Sequence, residues 1–167
     1  VLCNALLLLG LTSNVMVQAE SNPFFGKYKT PFETPPFDKI KTEHYEPAFK
    51  RGIAELKADI EKIANNSEPA TFENTIVALD RSGELLNRVS GAFFNVLSAN
   101  ANDEMMEISQ RISPDLTESS NNIYLNEKLF ARVKAVYDQR QSLNLSVEDA
   151  RLLDETYRAG QESGARV

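Results

Sequence analysis

From residue 42 onward, apolar positions recur at helical spacing. Tyr45, Phe49, Ile53, Leu56, Ile60 and Ile63 follow at steps of three and four, one face of an α-helix. Thr42 is a candidate N-cap, and Pro47 falls early, where a missing N–H costs little. Asn65-Asn66-Ser67-Glu68-Pro69 then stops the helix. A second helix is predicted from Thr71, with Ile76, Leu79, Gly83, Leu86, Ser90, Phe93 and Leu97 on its stripe. Gly83 and Ser90 are small residues on that stripe and predict a close helix crossing. Met105, Ile108, Ile112 and Leu116 carry a third helix, capped by Asp103 and disturbed at Pro114, with a turn at Asn121-Asn122. Asn126 caps a fourth, whose rows are Leu129, Val133, Val136 and Arg140. Ser146-Val147-Glu148-Asp149 opens a fifth with a pattern close to a capping box, followed by Leu152, Leu153 and Tyr157. No window alternates with period two, and no repeat of fixed length is present. The expected fold class is all-α, about five antiparallel helices.

Two segments precede this pattern. Residues 20–41 hold Pro23, Pro31, Pro35 and Pro36 together with Phe24, Phe25, Phe32 and Phe37. Proline fixes φ and removes donors, so this is an extended arm, and its rings predict that it lies across the helical body and buries them there. Residues 1–19 carry no charge. The run Ala5-Leu6-Leu7-Leu8-Leu9-Gly10-Leu11, a polar break and the small residues Val17 and Ala19 have the form of a secretory signal cleaved after Ala19. The apolar run is too short for a membrane anchor. Cleavage would remove Cys3, and the mature protein is expected to be exported, periplasmic or secreted. Beyond Arg158 the chain is polar, with Gly160, Gly164 and no final cap, so a truncated helical domain is expected over residues 42–167.

Composition narrows the function classes. A chain of 167 residues is about one domain. Eighteen Lys and Arg against 24 Asp and Glu give a net charge of −6, which argues against nucleic acid as a partner. His44 is the one histidine, so a His-Glu-x-x-His zinc helix is excluded within the chain, and His44 is expected to cap or pack at a helix start. No Gly-x-Ser-x-Gly elbow, phosphate loop or Gly-x-Gly-x-x-Gly turn occurs. The carboxylate pairs Glu43/Glu46, Asp103/Glu104 and Glu148/Asp149 sit at predicted helix starts, where the helix dipole favours negative charge. Asn65-Asn66-Ser67 and Asn144-Leu145-Ser146 fit a glycosylation sequon. From the residues alone, no catalytic, cofactor-binding or metal residue is assigned.

Ordered strings carry more than periodicity does. Pro36-Phe37-Asp38-Lys39-Ile40 leads to Glu43-His44-Tyr45-Glu46-Pro47-Ala48-Phe49, then Thr71-Phe72-Glu73-Asn74-Thr75-Ile76 and Ala78-Leu79-Asp80-Arg81-Ser82-Gly83. Leu85-Leu86-Asn87-Arg88-Val89, Phe93-Phe94-Asn95, Ser113-Pro114, Leu125-Asn126-Glu127-Lys128-Leu129-Phe130 and Val136-Tyr137 follow. In this order and spacing they resemble the N-terminal region of the thimet-oligopeptidase family of zinc metallopeptidases, most nearly its peptidyl-dipeptidase (dipeptidyl carboxypeptidase) branch. The resemblance runs from about Asn22 to Tyr157 and weakens beyond, where Ser163-Gly164-Ala165 is what remains.

The resemblance implies a large, two-lobed helical peptidase around a deep channel, of which these helices form part of one lobe. Its zinc, held by His-Glu-x-x-His and a downstream glutamate, would lie far C-terminal to the matched region. That metal polarises the scissile carbonyl of short unfolded peptides, and dipeptides leave from their C-terminus. No zinc ligand and no catalytic glutamate has a counterpart in residues 1–167. The chain alone is therefore expected to bind no Zn²⁺ and to be inactive. Its expected partners are short unfolded peptides, through the full-length enzyme, and its own catalytic lobe; nucleic acid and, after signal cleavage, membrane are not expected. The alternative is a stand-alone secreted helical module that binds peptides or proteins without catalysis.

Overall fold

The computed structural model describes residues 22–100 and 102–163. The expected signal segment, its cleavage point and Cys3 lie outside the described residues. Among the described residues five long helices make up the body: α1 Tyr45–Ala64, α2 Glu84–Ala99, α3 Asp103–Tyr124, α4 Glu127–Asp138 and α5 Val147–Glu162. Among the described residues none is in a strand. The fold is all-α, as the spacing predicts.

The long helix α1 is the central element. Its stripe of Tyr45, Phe49, Leu56, Ile60 and Ile63 is buried, each side chain contributing about 1.5–3 kcal/mol relative to exposure. Helix α2 answers with Leu85, Leu86, Val89, Ala92 and Phe93, and α3 with Met105, Ile108 and Ile112. These residues form one core cluster with Phe24 of the arm. Ile76, Val133, Val136 and Leu153 form a second, smaller cluster where α5 packs on α4.

The second predicted helix is broken. Thr71 and Asn74 cap each other, with Asn74 N–H donating to Thr71 Oγ1 at 3.1 Å and Thr71 N–H to Asn74 Oδ1 at 2.9 Å. A π-helical turn, Phe72–Val77, and one α-helical turn, Ala78–Asp80, follow. The chain then reverses at Gly83, whose φ of 68° lies in the left-handed region that a side chain disfavours. Gly83 is thus a joint between two elements, and it is also a close approach: an added Cβ would stand 3.0 Å from Leu56 Cδ1 of α1. A tighter approach, to backbone, is at Gly52 on α1, whose added Cβ would stand 2.9 Å from Leu86 Cα.

Four other expectations shift. Asn102, not Asp103, caps α3: its Oδ1 accepts from Met105 N–H at 2.8 Å. No turn forms at Asn121-Asn122, because α3 runs on to Tyr124. Pro114 stays inside that helix; the Ser113 and Thr117 hydroxyls donate to the carbonyls of Ser109 (2.6 Å) and Ser113 (2.9 Å) around it. Thr42 lies within a 3-10 turn, Thr42–His44, that leads into α1 rather than capping it. Asn126 and Ser146 do cap α4 and α5, accepting from Leu129 N–H at 3.0 Å and Asp149 N–H at 3.1 Å.

The arm is non-α-helical, with two single 3-10 turns at Pro23–Phe25 and Pro31–Glu33. Only its first part buries rings. Phe24 is fully buried, whereas Phe32 is 99% exposed and Phe37 52% exposed.

Candidate functional site

His44 sits at the mouth of α1 and its role is geometric. Its Nδ1 accepts the backbone N–H of Lys41 at 3.0 Å, which closes the turn that aims α1. Among the described residues no group of three or more His, Cys, Asp or Glu converges to hold a metal ion. The carboxylate pairs do not act together either. Glu46 is taken up by basic partners: Lys50 Nζ donates to Oε1 at 2.9 Å, and Arg111 Nε and Nη2 donate to Oε2 at 3.1 and 3.0 Å. These contacts, Lys50 first, hold the Glu46 carboxyl below its ordinary range. Glu43 pairs loosely with Lys41 at 3.7 Å. Asp103/Glu104 and Glu148/Asp149 lie in the first turns of α3 and α5, where the dipole accommodates them. Of the sequon asparagines, Asn65 terminates α1 and accepts from Lys128 Nζ at 3.0 Å. Asn144 adopts a left-handed φ of 48° in the α4–α5 connection.

Three features can receive another molecule or chain segment. One is a groove of about 470 Å³ between α1 and the second half of α3, with Ile53, Leu56, Ile60 and Ile123 lining its floor and Lys57 and Glu118 its rim. A second, of about 420 Å³, opens where Leu79, Gly83, Phe130, Leu152 and Ala159 meet. Close packing beside it depends on Gly160, where a Cβ would stand 2.5 Å from the Phe130 ring. Phe130 stacks on Tyr157 at 5.6 Å, Tyr157 on Tyr137 at 3.9 Å, and the Arg140 guanidinium covers Tyr137 at 4.2 Å. The third is the exposed half of the arm.

Arginines fix the connections around these features, and sequence reading did not single them out. Arg132 on α4 reaches back to the α1–α2 connection: Nη1 donates to the carbonyls of Asn66 (2.8 Å) and Glu68 (2.9 Å), and Nη2 to Asn74 Oδ1 (3.0 Å) and Thr75 Oγ1 (3.3 Å). Arg88 on α2 donates to the Phe24 carbonyl at 3.1 Å and lies 5.3 Å from the Tyr28 ring centre. Burial pushes the Tyr28 phenol above its ordinary value, and the Arg88 charge opposes this. The signal for both arginines was a lone cation beside apolar rows, Arg132 between Phe130 and Val133 and Arg88 between Leu86 and Val89. No helix among the described residues is long and apolar enough to cross a membrane.

The arrangement can bind, pack and orient. What it belongs to comes from comparison with known proteins. No family model matches the chain. Dipeptidyl carboxypeptidase of Escherichia coli is 42% identical over 146 residues, 87% of this chain and 21% of that protein. Its counterpart in Salmonella typhimurium is 42% identical over 147 residues, 88% of this chain and 22% of that protein. Oligopeptidase A of Escherichia coli is 27% identical over 135 residues, 81% of this chain and 20% of that protein. The chain spans about a fifth of the length of the curated relatives it matches. Over that stretch the chain is a homologue of dipeptidyl carboxypeptidase and oligopeptidase A.

Proposed function

We propose that this chain is the N-terminal helical region of an exported zinc peptidyl-dipeptidase, one that releases dipeptides from the C-terminus of short unfolded peptides. The observation that carries the reading is the 42% identity to dipeptidyl carboxypeptidases across 87% of the chain. Support for export is the uncharged, apolar stretch at residues 1–19, which would leave residues 20–41 as the arm and 42–167 as the helical domain. The zinc and its activated water would be supplied by another part of the polypeptide, because the described residues offer no matching ligands. What these helices contribute is a wall: α1 with α2 and α3 on its flanks, fixed by Arg88, Arg111 and Arg132, that shapes and restricts entry to a channel.

Grafting tests this. Residues 22–163 replace the matched stretch of Escherichia coli dipeptidyl carboxypeptidase. The expected outcome is a folded chimera with zinc-dependent release of C-terminal dipeptides, while the 167-residue chain with added Zn²⁺ releases none. A folded chimera that binds zinc but leaves peptides intact contradicts the reading. A stand-alone peptide-binding module is the competing account, favoured by the two open grooves beside α1 and α4. It predicts peptide binding by the chain alone.

A further inference from the structure

The arm has two halves with opposite relations to the body. Its first half is seated: Phe24 is fully buried against Tyr45 at 5.4 Å, and the Arg51 guanidinium lies 4.4 Å from the Phe25 ring centre. Asn22 Nδ2 donates to the His44 carbonyl at 2.9 Å, tying the arm to the start of α1. The second half projects. Residues 31–34 are all exposed, and Phe32, at 99%, has its whole ring in solvent.

That projecting half is nonetheless held in shape. Phe32 and Glu33 both have positive φ, 57° and 53°, as the central residues of the Pro31–Thr34 turn. This is the φ pattern of a type I′ turn, which Asn and Gly normally occupy. A phenylalanine and a glutamate there cost about 1–2 kcal/mol each. Local bonds keep the turn in place: Glu33 N–H donates to the Thr30 carbonyl at 3.1 Å, and Thr34 N–H and Oγ1 donate to the Pro31 carbonyl at 3.3 and 3.0 Å. Thr30 Oγ1 closes the loop on the Thr34 carbonyl. Pro31, Pro35 and Pro36 stiffen both flanks.

A strained, stapled turn that presents an unburied benzyl group has no stabilising role in this body. An exposed Phe forgoes about 1.5–3 kcal/mol of burial, and a stiffened segment loses little entropy on docking. The chain spans a fifth of its relatives' length, so a family-length polypeptide supplies ample further surface. We propose that residues 31–37 are an anchor that inserts Phe32 into an apolar pocket on the remaining, catalytic region of the peptidase, with Phe37 covering the rim. The arm is then a strap, its first half clamped here by Arg51 and Arg88 and its second half gripping the other lobe. This rests on the function proposed above.

The test uses the full-length chimera described above, in which residues 22–163 replace the matched stretch of Escherichia coli dipeptidyl carboxypeptidase, with the 167-residue chain melted alone in parallel. Phe32→Ser should lower the chimera's melting midpoint by several degrees, the behaviour of a buried aromatic anchor, and leave the midpoint of the chain alone unchanged. Phe32→Leu should retain most of the chimera's midpoint, and Phe37→Ser should show a smaller loss than Phe32→Ser. An unchanged chimera midpoint for Phe32→Ser overturns the anchor, as does an equal fall in the chain alone, which would place the ring in its own core. If the unaltered chimera folds but releases no dipeptides, the proposed function falls and the anchor with it. A chimera that is active yet indifferent to Phe32→Ser removes the anchor alone.

Discussion

Gly52 and Leu86 bring the two best-packed helices into backbone contact. A Cβ built on Gly52 would stand 2.9 Å from both the Leu86 Cα and the Leu86 N, atoms of the α2 backbone that cannot swing aside. In an isolated helix Gly→Ala gains about 1 kcal/mol. Here the overpacking cost of about 1–3 kcal/mol falls on α1 and α2 together. Gly52→Ala is therefore expected to lower stability by up to about 2 kcal/mol net, a drop of up to roughly 8 °C in melting midpoint for a chain of this size. Thermal denaturation followed by circular dichroism checks it; a raised midpoint would mean that α1 and α2 do not approach this closely.

Arg132 stitches α4 to the α1–α2 connection through four acceptors. Its planar fork matches them in a way that a lysine ammonium does not. Arg132→Lys should cost about 1–2 kcal/mol and Arg132→Ala about 2–4 kcal/mol, given charged hydrogen bonds of about 1.5–3 kcal/mol that are not additive. Hydrogen exchange should quicken first at residues 66–75. Equal loss across all helices would instead point to a purely global effect.

Phe24 anchors the arm with no exposed surface and rings of Tyr45 and Phe93 in sequence behind it, 5.4 Å and then 5.0 Å between centroids. Phe24→Ala should cost about 3–5 kcal/mol. Limited proteolysis should then cut within residues 22–41 well before the helices. Protection equal to that of the parent chain would show that the arm is held by other contacts.

Acid sensitivity should localise to the α1–α3 contact. The folded-state pKa of Glu46 is lowered from its ordinary 4.5 by Lys50 and Arg111. A depressed carboxylate binds fewer protons folded than unfolded, so its stabilisation is present above about pH 4.5 and lost as pH falls through the folded value. Glu46→Gln should thus lower the urea midpoint at pH 7, and the gap from the parent should shrink progressively as pH falls below 4.5. A gap that does not shrink with acidification contradicts this assignment.

Much of this fold was legible because helices with one buried face write their period into the sequence. Asn126 and Ser146 were readable as caps, because a short polar side chain before an apolar row has few other uses. The break at Gly83 was not readable. Ile76, Leu79, Leu86 and Phe93 keep helical spacing across it, and periodicity does not register a left-handed residue. Gly52 was invisible for the opposite reason: a glycine on a strongly periodic helix reads as tolerance until its neighbour is known. For the arm, proline and phenylalanine content predicted an extended, sticky segment but could not divide Phe24, which is buried, from Phe32, which is not. Function was legible only through ordered strings, because the residues read one by one offered no motif that carries chemistry.

The central claim is that these helices are one wall of a zinc peptidase whose ligands lie further along the same polypeptide. Reading the genomic sequence beyond the codon for Val167 tests it most directly. The account predicts a frame that continues and encodes His-Glu-x-x-His with a glutamate downstream. A stop followed by no such motif in any frame would contradict it.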